Sequence, residues 1–285
     1  MAGLSLLKER IGSSCCVDGT FVGASDLVPG VYEGGMKLWE GCRDIITALL
    51  RLLDCPAELL PRARPLASCR VLELGCGHGL PGIAASLAGA RVVVLQDFNT
   101  DVASLALRNA TANLDRRHHQ HVLAGCSAWP ELPRTLRCCD CEFDSTRCDV
   151  SAHSLSAAVC DSSALLPASE QYSLILSSET VYNEESIRPL LEMIRRYLAP
   201  RGKALLAQKR YYFGVGGGTK QVRKLLPPLG LHVTQCEEIS DGLSNMREVL
   251  TVEHAPLEQR LSVHHDEQEQ SNVTQALFGH DTDSE

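Results

Sequence analysis

The sequence predicts an α/β fold in which a mostly parallel sheet carries helices on both faces and ends in an antiparallel hairpin. Short apolar runs alternate with segments of helical period along residues 70–208, which is typical of a parallel sheet. The last two apolar runs, 231–239 and 247–252, have only a short polar linker between them. A linker of that length suits a hairpin, so the final strand is expected to run antiparallel.

The N-terminal half begins with an amphipathic helix. Apolar residues recur at three- and four-residue steps from Lys37 to Leu53. The elements predicted after it are strands at 70–74, 91–96 and 121–124, with helices beginning near Leu80 and Thr100, the second ending near Leu114. Residues 71–82 join a buried strand to a glycine turn and a helix start, and the next strand ends in Asp97.

The C-terminal half continues the alternation. A strand at 172–177 is followed by Asn183, which is a good helix cap with two glutamates after it. The predicted helix extends to Leu198. A strand at 203–208, a glycine loop at 214–218 and a helix at 219–227 precede the hairpin.

One domain is predicted over residues 26–256. Residues 1–25 form an N-terminal extension without a clear period, and 257–285 form an acidic tail that we expect to be disordered. Within the domain, 131–168 loses all period, which is typical of a disordered insertion.

Composition limits the classes of function. The 285 residues are 44% hydrophobic and 22% charged, with a net charge of −8. This net charge argues against a general nucleic-acid binder, which would need a basic face to neutralise phosphates, but it is compatible with a basic protein partner. Thirteen cysteines without an apolar leader indicate free thiols in a reducing compartment. We expect a soluble, monomeric protein of the cytoplasm or nucleus, with no membrane span.

The glycine turn and Asp97 together predict an adenosine site. The loop admits the ligand, and an acid that ends the next strand binds the ribose hydroxyls. Gly77, Gly79 and Gly82 also fit the dinucleotide pattern, but three features favour S-adenosylmethionine over NAD. Glu73 would repel a pyrophosphate but favour an ammonium, Pro81 leaves fewer amides for a phosphate, and a plain dinucleotide sheet has no closing hairpin.

Five segments together resemble the histidine protein methyltransferases, which are seven-strand, Rossmann-like protein methyltransferases. They are Gly30–Glu40, Glu73–Gly82, Gln96–Asn99, Ser178–Asn183 and Tyr212–Gly218. The similarity covers about residues 25–255. It implies an enzyme that transfers a methyl group from S-adenosylmethionine to one histidine of a large-subunit ribosomal protein.

The resemblance also implies a set of cofactor contacts. Leu38, Trp39 and Glu40 are expected to close over the cofactor, and Asn99 to lie beside the adenosine. The complete set of predicted cofactor-binding residues is Leu38, Trp39, Glu40, Glu73, Gly75, Gly77, Gly79, Asp97, Phe98, Asn99, Ala128, Trp129 and Ser178. The sequence departs from the family at Ala128, where members have a glutamate, and at Phe98, where they have a tyrosine.

Glu179 is the first candidate for the catalytic group. It follows the carboxyl end of a strand, where ligands bind in open α/β sheets. A histidine acceptor is largely neutral near pH 7, so a group that binds its second ring nitrogen is sufficient. Tyr182, Asn183 and Tyr212 are further candidates, with Phe213 as a second aromatic wall.

Metal binding is not expected. The cysteines at 138, 139, 141 and 148, with His153, contain one C-x-x-C pair but no second pair at a fitting spacing.

Three alternatives stay open at the level of sequence. The first keeps the fold with a lysine acceptor, the second is a non-catalytic partner-binding module, and the third is an NAD-dependent oxidoreductase.

Overall fold

A computed structural model describes residues 33–54, 64–115, 121–130, 132, 137–138, 171–240, 242 and 245–256. The strands are β1 (Arg70–Leu74), β2 (Val92–Asp97), β3 (Val122–Cys126), β4 (Arg137–Cys138), β5 (Tyr172–Ser178), β6 (Leu198–Lys209), β7 (Leu231–Ile239) and β8 (Arg247–His254). The helices are α1 (Glu40–Leu52), α2 (Leu80–Leu87), α3 (Thr100–Asn113), α4 (Glu184–Tyr197) and α5 (Thr219–Leu225), with a 3₁₀ turn at Pro227–Leu229.

The described strands form one sheet in the order β4-β3-β2-β1-β5-β6-β8-β7. The pairs among β1, β2, β3, β5 and β6 are parallel, whereas β8 runs antiparallel to both β6 and β7. The predicted fold class and its closing hairpin are therefore confirmed. β1 lies between β2 and β5, so the chain reverses its direction of travel across the sheet at β1, and ligand sites form at such reversals.

Two hydrophobic cores lie on opposite faces of the sheet. Successive side chains of a strand point to opposite faces, so Val71 joins the core under α1, α2 and α3, while Leu72 and Leu74 join the core under α4 and α5. The central strands β1, β2 and β5 are buried on both faces, which explains their continuous apolar runs, whereas much of the edge strand β7 is exposed.

Several element ends differ from the prediction. α1 begins at Glu40 instead of Lys37, because Lys37 belongs to a turn in which its N–H donates to the carbonyl of Gly34. Leu198 is the first residue of β6, paired with Tyr172, and is not the end of α4. The Asn183 cap agrees with the prediction, since its Oδ1 accepts from the Glu185 N–H at 3.0 Å.

The interpretation of 131–168 as wholly irregular is wrong in part. Arg137–Cys138 forms the short strand β4, which pairs antiparallel with Leu123 and Ala124 of β3, and Leu132 is buried. The rest of this segment lies outside the described residues, as do residues 1–32 and 257–285.

Among the helices of the described ranges, none has the length and apolar content needed to cross a bilayer.

Candidate active site

The carboxyl ends of β1, β2 and β5 surround a cavity of about 190 Å³. Its walls come from the loops that follow these strands, from residues 127–129 and from the segment before α1. The cavity therefore lies at the reversal point of the sheet, where the order of strands predicts a ligand site.

The glycine loop after β1 (residues 75–79) forms one wall. Gly75 and Gly77 have φ values of 62° and 52°, which glycine adopts without strain. A Cβ on Gly75 would lie 2.6 Å from Cγ2 of Thr180, across the cavity wall. A side chain larger than that of glycine at position 75 would therefore clash with Thr180.

Asp97 ends β2 and lines the cavity. Its Oδ2 accepts from the Gly77 N–H at 2.9 Å and its Oδ1 from the Asn99 N–H at 3.2 Å. Burial raises the pKa of Asp97, and these two backbone hydrogen bonds partly oppose that rise. A carboxylate has about four acceptor sites, so Asp97 can hold the loop and still accept from the hydroxyls of a ligand.

Gln96 connects Asp97's strand to two other parts of the cavity. Its Oε1 accepts from the Trp129 indole N–H at 2.9 Å and from the Gly75 N–H at 3.3 Å, and its Nε2 donates to the Ser127 carbonyl at 2.6 Å. Gln96 is not among the sequence-predicted site residues. The sequence contained a signal for Gln96, because an amide side chain in an otherwise apolar, buried strand needs hydrogen-bond partners inside the protein.

Residues 33–39, which we call the N-terminal strap, cross the cavity before α1 begins. The Tyr182 hydroxyl donates to the carboxylate of Glu33. The Nε2 atom of His78, in the glycine loop, lies 2.9 Å from the Met36 carbonyl oxygen. The strap is thereby attached to both the β1 wall and the β5 wall.

Glu179 follows β5 with an unusual backbone conformation. Its φ is 55°, in the left-handed region that costs a non-glycine residue about 1–2 kcal/mol. Its N–H donates to the Ala207 carbonyl at 2.9 Å, which fixes the turn against β6. Strained residues of this kind concentrate at functional sites.

The Glu179 carboxylate has an asymmetric environment. Oε2 accepts from the Tyr212 hydroxyl at 2.6 Å and lies 4.0 Å from Nζ of Lys209. Oε1 is buried and meets no donor at hydrogen-bond geometry within the described part of the chain. Burial raises the pKa of Glu179, while the Tyr212 hydrogen bond, the Lys209 charge and the nearby Gly41 N–H oppose the rise.

Gln208 of β6 holds the turn that carries Glu179. It is fully buried, and its Oε1 accepts from the N–H groups of Thr180 at 2.8 Å and Val181 at 3.2 Å. The Tyr212 hydroxyl also lies 3.2 Å from this oxygen. Gln208 therefore positions both Glu179 and its hydrogen-bond donor.

A second glycine loop, residues 212–218, covers the start of the segment after β5. The Gly217 N–H donates to the Tyr182 carbonyl at 3.1 Å, and Gly216 forms an isolated bridge with Asn183. Tyr182 and Asn183 both line the cavity. This loop is thus part of the wall that contains Glu179.

Most of the predicted site residues meet in this cavity. Those that line it are Leu38, Trp39, Gly75, Gly77, Asp97, Phe98, Trp129, Ser178, Glu179, Tyr182 and Asn183. Tyr212 is not in the lining but reaches it through Glu179.

Five predicted cofactor contacts lie outside the lining: Glu40, Asn99, Ala128, Gly79 and Glu73. The Glu40 carboxylate is half-exposed and pairs with Lys209 at 3.8 Å. Asn99 precedes α3, and its Oδ1 lies 3.5 Å from the backbone nitrogen of Glu33 in the strap. Ala128 is exposed, between the lining residues Ser127 and Trp129. Gly79 caps α2 against Leu95 and Ala106.

Glu73 is also placed differently from the prediction, which set it beside the ammonium of a ligand. Its Oε2 accepts from the Gly82 N–H at 2.8 Å, under α2, and the residue is 1% exposed. Alternation along β1 explains this, because Glu73 shares the face of Val71, which α2 covers. Burial raises the pKa of Glu73 well above its usual range.

No group of three or more His, Cys, Asp or Glu side chains in the described ranges is placed to hold a metal ion. The cysteines of 138–148 and His153 lie where no side chains are described.

The chain is similar in sequence to several histidine protein methyltransferase 1 homologs. The histidine protein methyltransferase 1 homolog of Dictyostelium discoideum is 35% identical over 230 residues, which is 80% of this chain and 60% of that protein. The homolog of Rattus norvegicus is 36% identical over 237 residues, which is 82% of this chain and 61% of that protein. The chain is a relative of the histidine protein methyltransferases. The resemblance that the sequence motifs indicated is confirmed.

The chain spans about three fifths of the length of these histidine protein methyltransferases. No family model matches it. Among solved structures, a candidate RNA methyltransferase from Pyrococcus horikoshii superimposes with a TM-score of 0.50 and 10% identity, over 90% of this chain and 98% of that one. At this identity the likeness shows the methyltransferase fold alone.

The motifs that carry the resemblance to histidine protein methyltransferases converge in space. The strap, the two glycine loops and the ends of β2 and β5 all contribute to the cavity or to the contacts of Glu179. Segments as distant in the chain as residues 33 and 217 are joined through Tyr182.

Proposed function

We propose that this chain transfers a methyl group from S-adenosylmethionine to a histidine side chain of a protein, specifically a protein of the large ribosomal subunit. One observation carries the proposal. Glu179 lies in the cavity wall, and its buried Oε1 meets no donor at full hydrogen-bond geometry in the described ranges, with the Gly41 N–H nearby. An imidazole N–H of the acceptor would supply that donor.

The cavity residues fit this cofactor. Asp97 retains acceptor sites for two ribose hydroxyls after binding Gly77 and Asn99. The rings of Phe98 and Trp129 offer apolar surface to the adenine, in the walls next to Asp97. The sequence difference at Ala128 removes an acidic contact but leaves Trp129 fixed by its hydrogen bond to Gln96.

When bound, S-adenosylmethionine supplies the methyl group: the acceptor nitrogen forms the N–C bond as the C–S bond breaks, and those bonding electrons stay on sulfur. Glu179 accepts the N–H of the other ring nitrogen, which fixes the tautomer and orients the ring. The carboxylate also stabilises the positive charge that develops on the ring. The ring N–H proton then leaves to solvent, so no strong base is needed.

Tyr212 supports this role of Glu179. Burial and the adjacent Glu179 charge raise the pKa of Tyr212 far above its usual value. Tyr212 therefore stays protonated and donates to Oε2. Oε1 is left for the acceptor.

A protein acceptor is supported by the surface around the cavity. The exposed large hydrophobic side chains of the described residues are Leu38, Tyr211, Phe213 and Val215. Leu38 lines the cavity, and the other three belong to or adjoin the loop bound to Tyr182. Clustered apolar side chains are typical of protein-binding surfaces. The net charge of −8 favours a basic partner, as ribosomal proteins are.

A ribosomal substrate would set the reaction in the cytoplasm or nucleus. We propose that the chain acts there as a monomer and contacts its protein substrate without binding nucleic acid, in keeping with its acidic charge.

The test is incubation with labelled S-adenosylmethionine and purified large-subunit ribosomal proteins, followed by mass spectrometry of the modified residue. We expect methylhistidine from the wild type and about 100-fold slower transfer by Glu179→Gln, which keeps the shape but removes the charge. Glu192→Gln, a half-exposed acid of α4 outside the cavity lining, is the control and should match the wild type.

Methyllysine without methylhistidine would replace the acceptor with lysine. Binding of the proteins without transfer would favour the non-catalytic module.

A further inference from the structure

Lys209, the last residue of β6, brings a cation next to Glu179. Its Nζ lies 4.0 Å from Oε2 of Glu179 and 3.8 Å from Oε2 of Glu40. The Lys209 side chain is 20% exposed and that of Glu179 is 3% exposed. Charges with so little solvent around them interact more strongly than charges on an open surface.

The same ammonium lies near the aromatic side chains of the site. Nζ of Lys209 is 5.7 Å from the ring centroid of Trp39 and 5.9 Å from that of Tyr212. Nζ of Lys37 lies 4.5 Å from the Trp39 ring. A cage for an incoming ammonium needs aromatic faces open to that cation. Here the chain's own cations already lie close to these rings.

The two possible acceptors differ in charge at neutral pH. A lysine side chain has a pKa of about 10.4 and is an ammonium, whereas an imidazole has a pKa of about 6.5 and is mostly neutral. An ammonium at Glu179 would share the carboxylate with Lys209, and two like charges at that separation repel. A neutral imidazole can donate its N–H to Oε1 without that repulsion.

We propose that Lys209 is a specificity-determining residue, which admits a neutral imidazole and excludes an alkylammonium from the acceptor position beside Glu179. This inference rests on the proposed function, because it takes Glu179 as the group that receives the acceptor. The charge of Lys209 repels a cationic acceptor. Its ammonium also lies beside the Trp39 and Tyr212 rings, which an incoming ammonium would otherwise contact.

The experiment measures binding of two side-chain analogues to the full chain saturated with S-adenosylhomocysteine. At about pH 8.5, 4-methylimidazole is mostly neutral and n-butylamine is still an ammonium. Wild type is compared with Lys209→Met, which removes the charge, and with Lys209→Arg, the control that keeps it. We expect Lys209→Met to bind n-butylammonium about tenfold tighter or more, and 4-methylimidazole within about threefold of wild type. Lys209→Arg should keep the wild-type preference.

Unchanged n-butylammonium binding in Lys209→Met would overturn the inference. Equal gains for both analogues would also overturn it, because they would indicate a generally wider cavity. As a second readout, Lys209→Met should raise the ratio of methyllysine to methylhistidine formed on large-subunit ribosomal proteins. If wild type forms no methylhistidine, the proposed function fails, while the binding comparison still decides the role of Lys209.

Discussion

Glu179 combines a strained backbone with a carboxylate that is only partly satisfied. The turn is retained because the Glu179 N–H bonds to Ala207 and Gln208 binds the next two backbone N–H groups. The side chain is held on one oxygen by Tyr212. A fixed acceptor with one oxygen available is what orienting an imidazole requires, because little reorganisation is then needed during transfer.

Tyr212→Phe should move the acid limb of kcat/KM to higher pH. In the proposed mechanism the transfer needs ionised Glu179, so activity is expected to fall as pH drops through the pKa of that group. The hydrogen bond from the Tyr212 hydroxyl lowers the pKa of Glu179. Without it, burial raises this pKa further. The measurement is kcat/KM against pH for wild type and variant.

The control for this profile is Tyr197→Phe, at the end of α4 and outside the cavity lining. Its acid limb should coincide with that of the wild type. A Tyr212→Phe profile that also coincides with the wild type would separate Tyr212 from the ionisation of Glu179.

Close backbone contacts fix the strap and the loop 212–218 beside the cavity. α1 approaches the sheet so closely that a Cβ on Gly41 would lie 3.0 Å from both the Ala207 carbonyl oxygen and Cγ of Glu179. The strap continues directly into α1, so the packing of this helix also sets the strap over the cavity. The loop 212–218 depends in the same way on a close backbone approach.

Gly217→Ala should disrupt this loop. The added Cβ would lie 2.0 Å from the Val181 carbonyl oxygen and 2.5 Å from the Tyr182 carbonyl carbon, and neither backbone atom can yield easily. We expect about 1–3 kcal/mol of destabilisation and a loss of transfer rate greater than the loss of cofactor affinity. Single-turnover rates and S-adenosylhomocysteine binding measure the two effects.

Gly214→Ala is the matched control in the same loop. A Cβ there meets nothing within 4 Å, so only its positive φ of 81° is unfavourable, at about 1–2 kcal/mol. Equal transfer rates in the two variants would contradict a specific role for the Gly217 contact.

Across the whole molecule, a chain of charges links α1, the closing hairpin and the active-site wall. Arg247 of β8 pairs with Asp44 at 2.5 Å and with Glu40 at 3.7 Å, and Glu40 pairs with Lys209 at 3.8 Å. Asp44 and Arg247 are both buried. A buried ion pair is a weak source of net stability, but the loss of one partner leaves an uncompensated charge.

Arg247→Met should therefore lower the free energy of unfolding by about 3–5 kcal/mol, because Asp44 stays buried without its main partner. Urea unfolding of the full chain measures the change. Arg201→Met, at an exposed position of β6, is the control and should change stability by about 0.5 kcal/mol or less. The double variant Asp44→Leu with Arg247→Met should recover part of the lost stability, because no buried charge is then left unpaired.

If Arg247→Met does not lower the free energy of unfolding and the double variant does not differ from it, the ion pair is not coupled to folding.

Strands, helices and the closing hairpin were predictable because hydrophobic period and turn residues act over short distances along the chain. The same locality gives the Asn183 cap and the position of Asp97 and Glu179 at strand ends. Boundaries such as Leu198 were less predictable, since strand pairing with Tyr172 outweighs the helical period there.

The contacts of the site depended on the folded chain. The direction of Glu73 follows from which face α2 covers, and the roles of Gln208 and Lys209 follow from β6 lying beside β5. The strap reaches Tyr182 across 149 positions of sequence. Sequence patterns record which residues are buried together within an element, whereas the partner of a buried polar group is set by packing between distant elements.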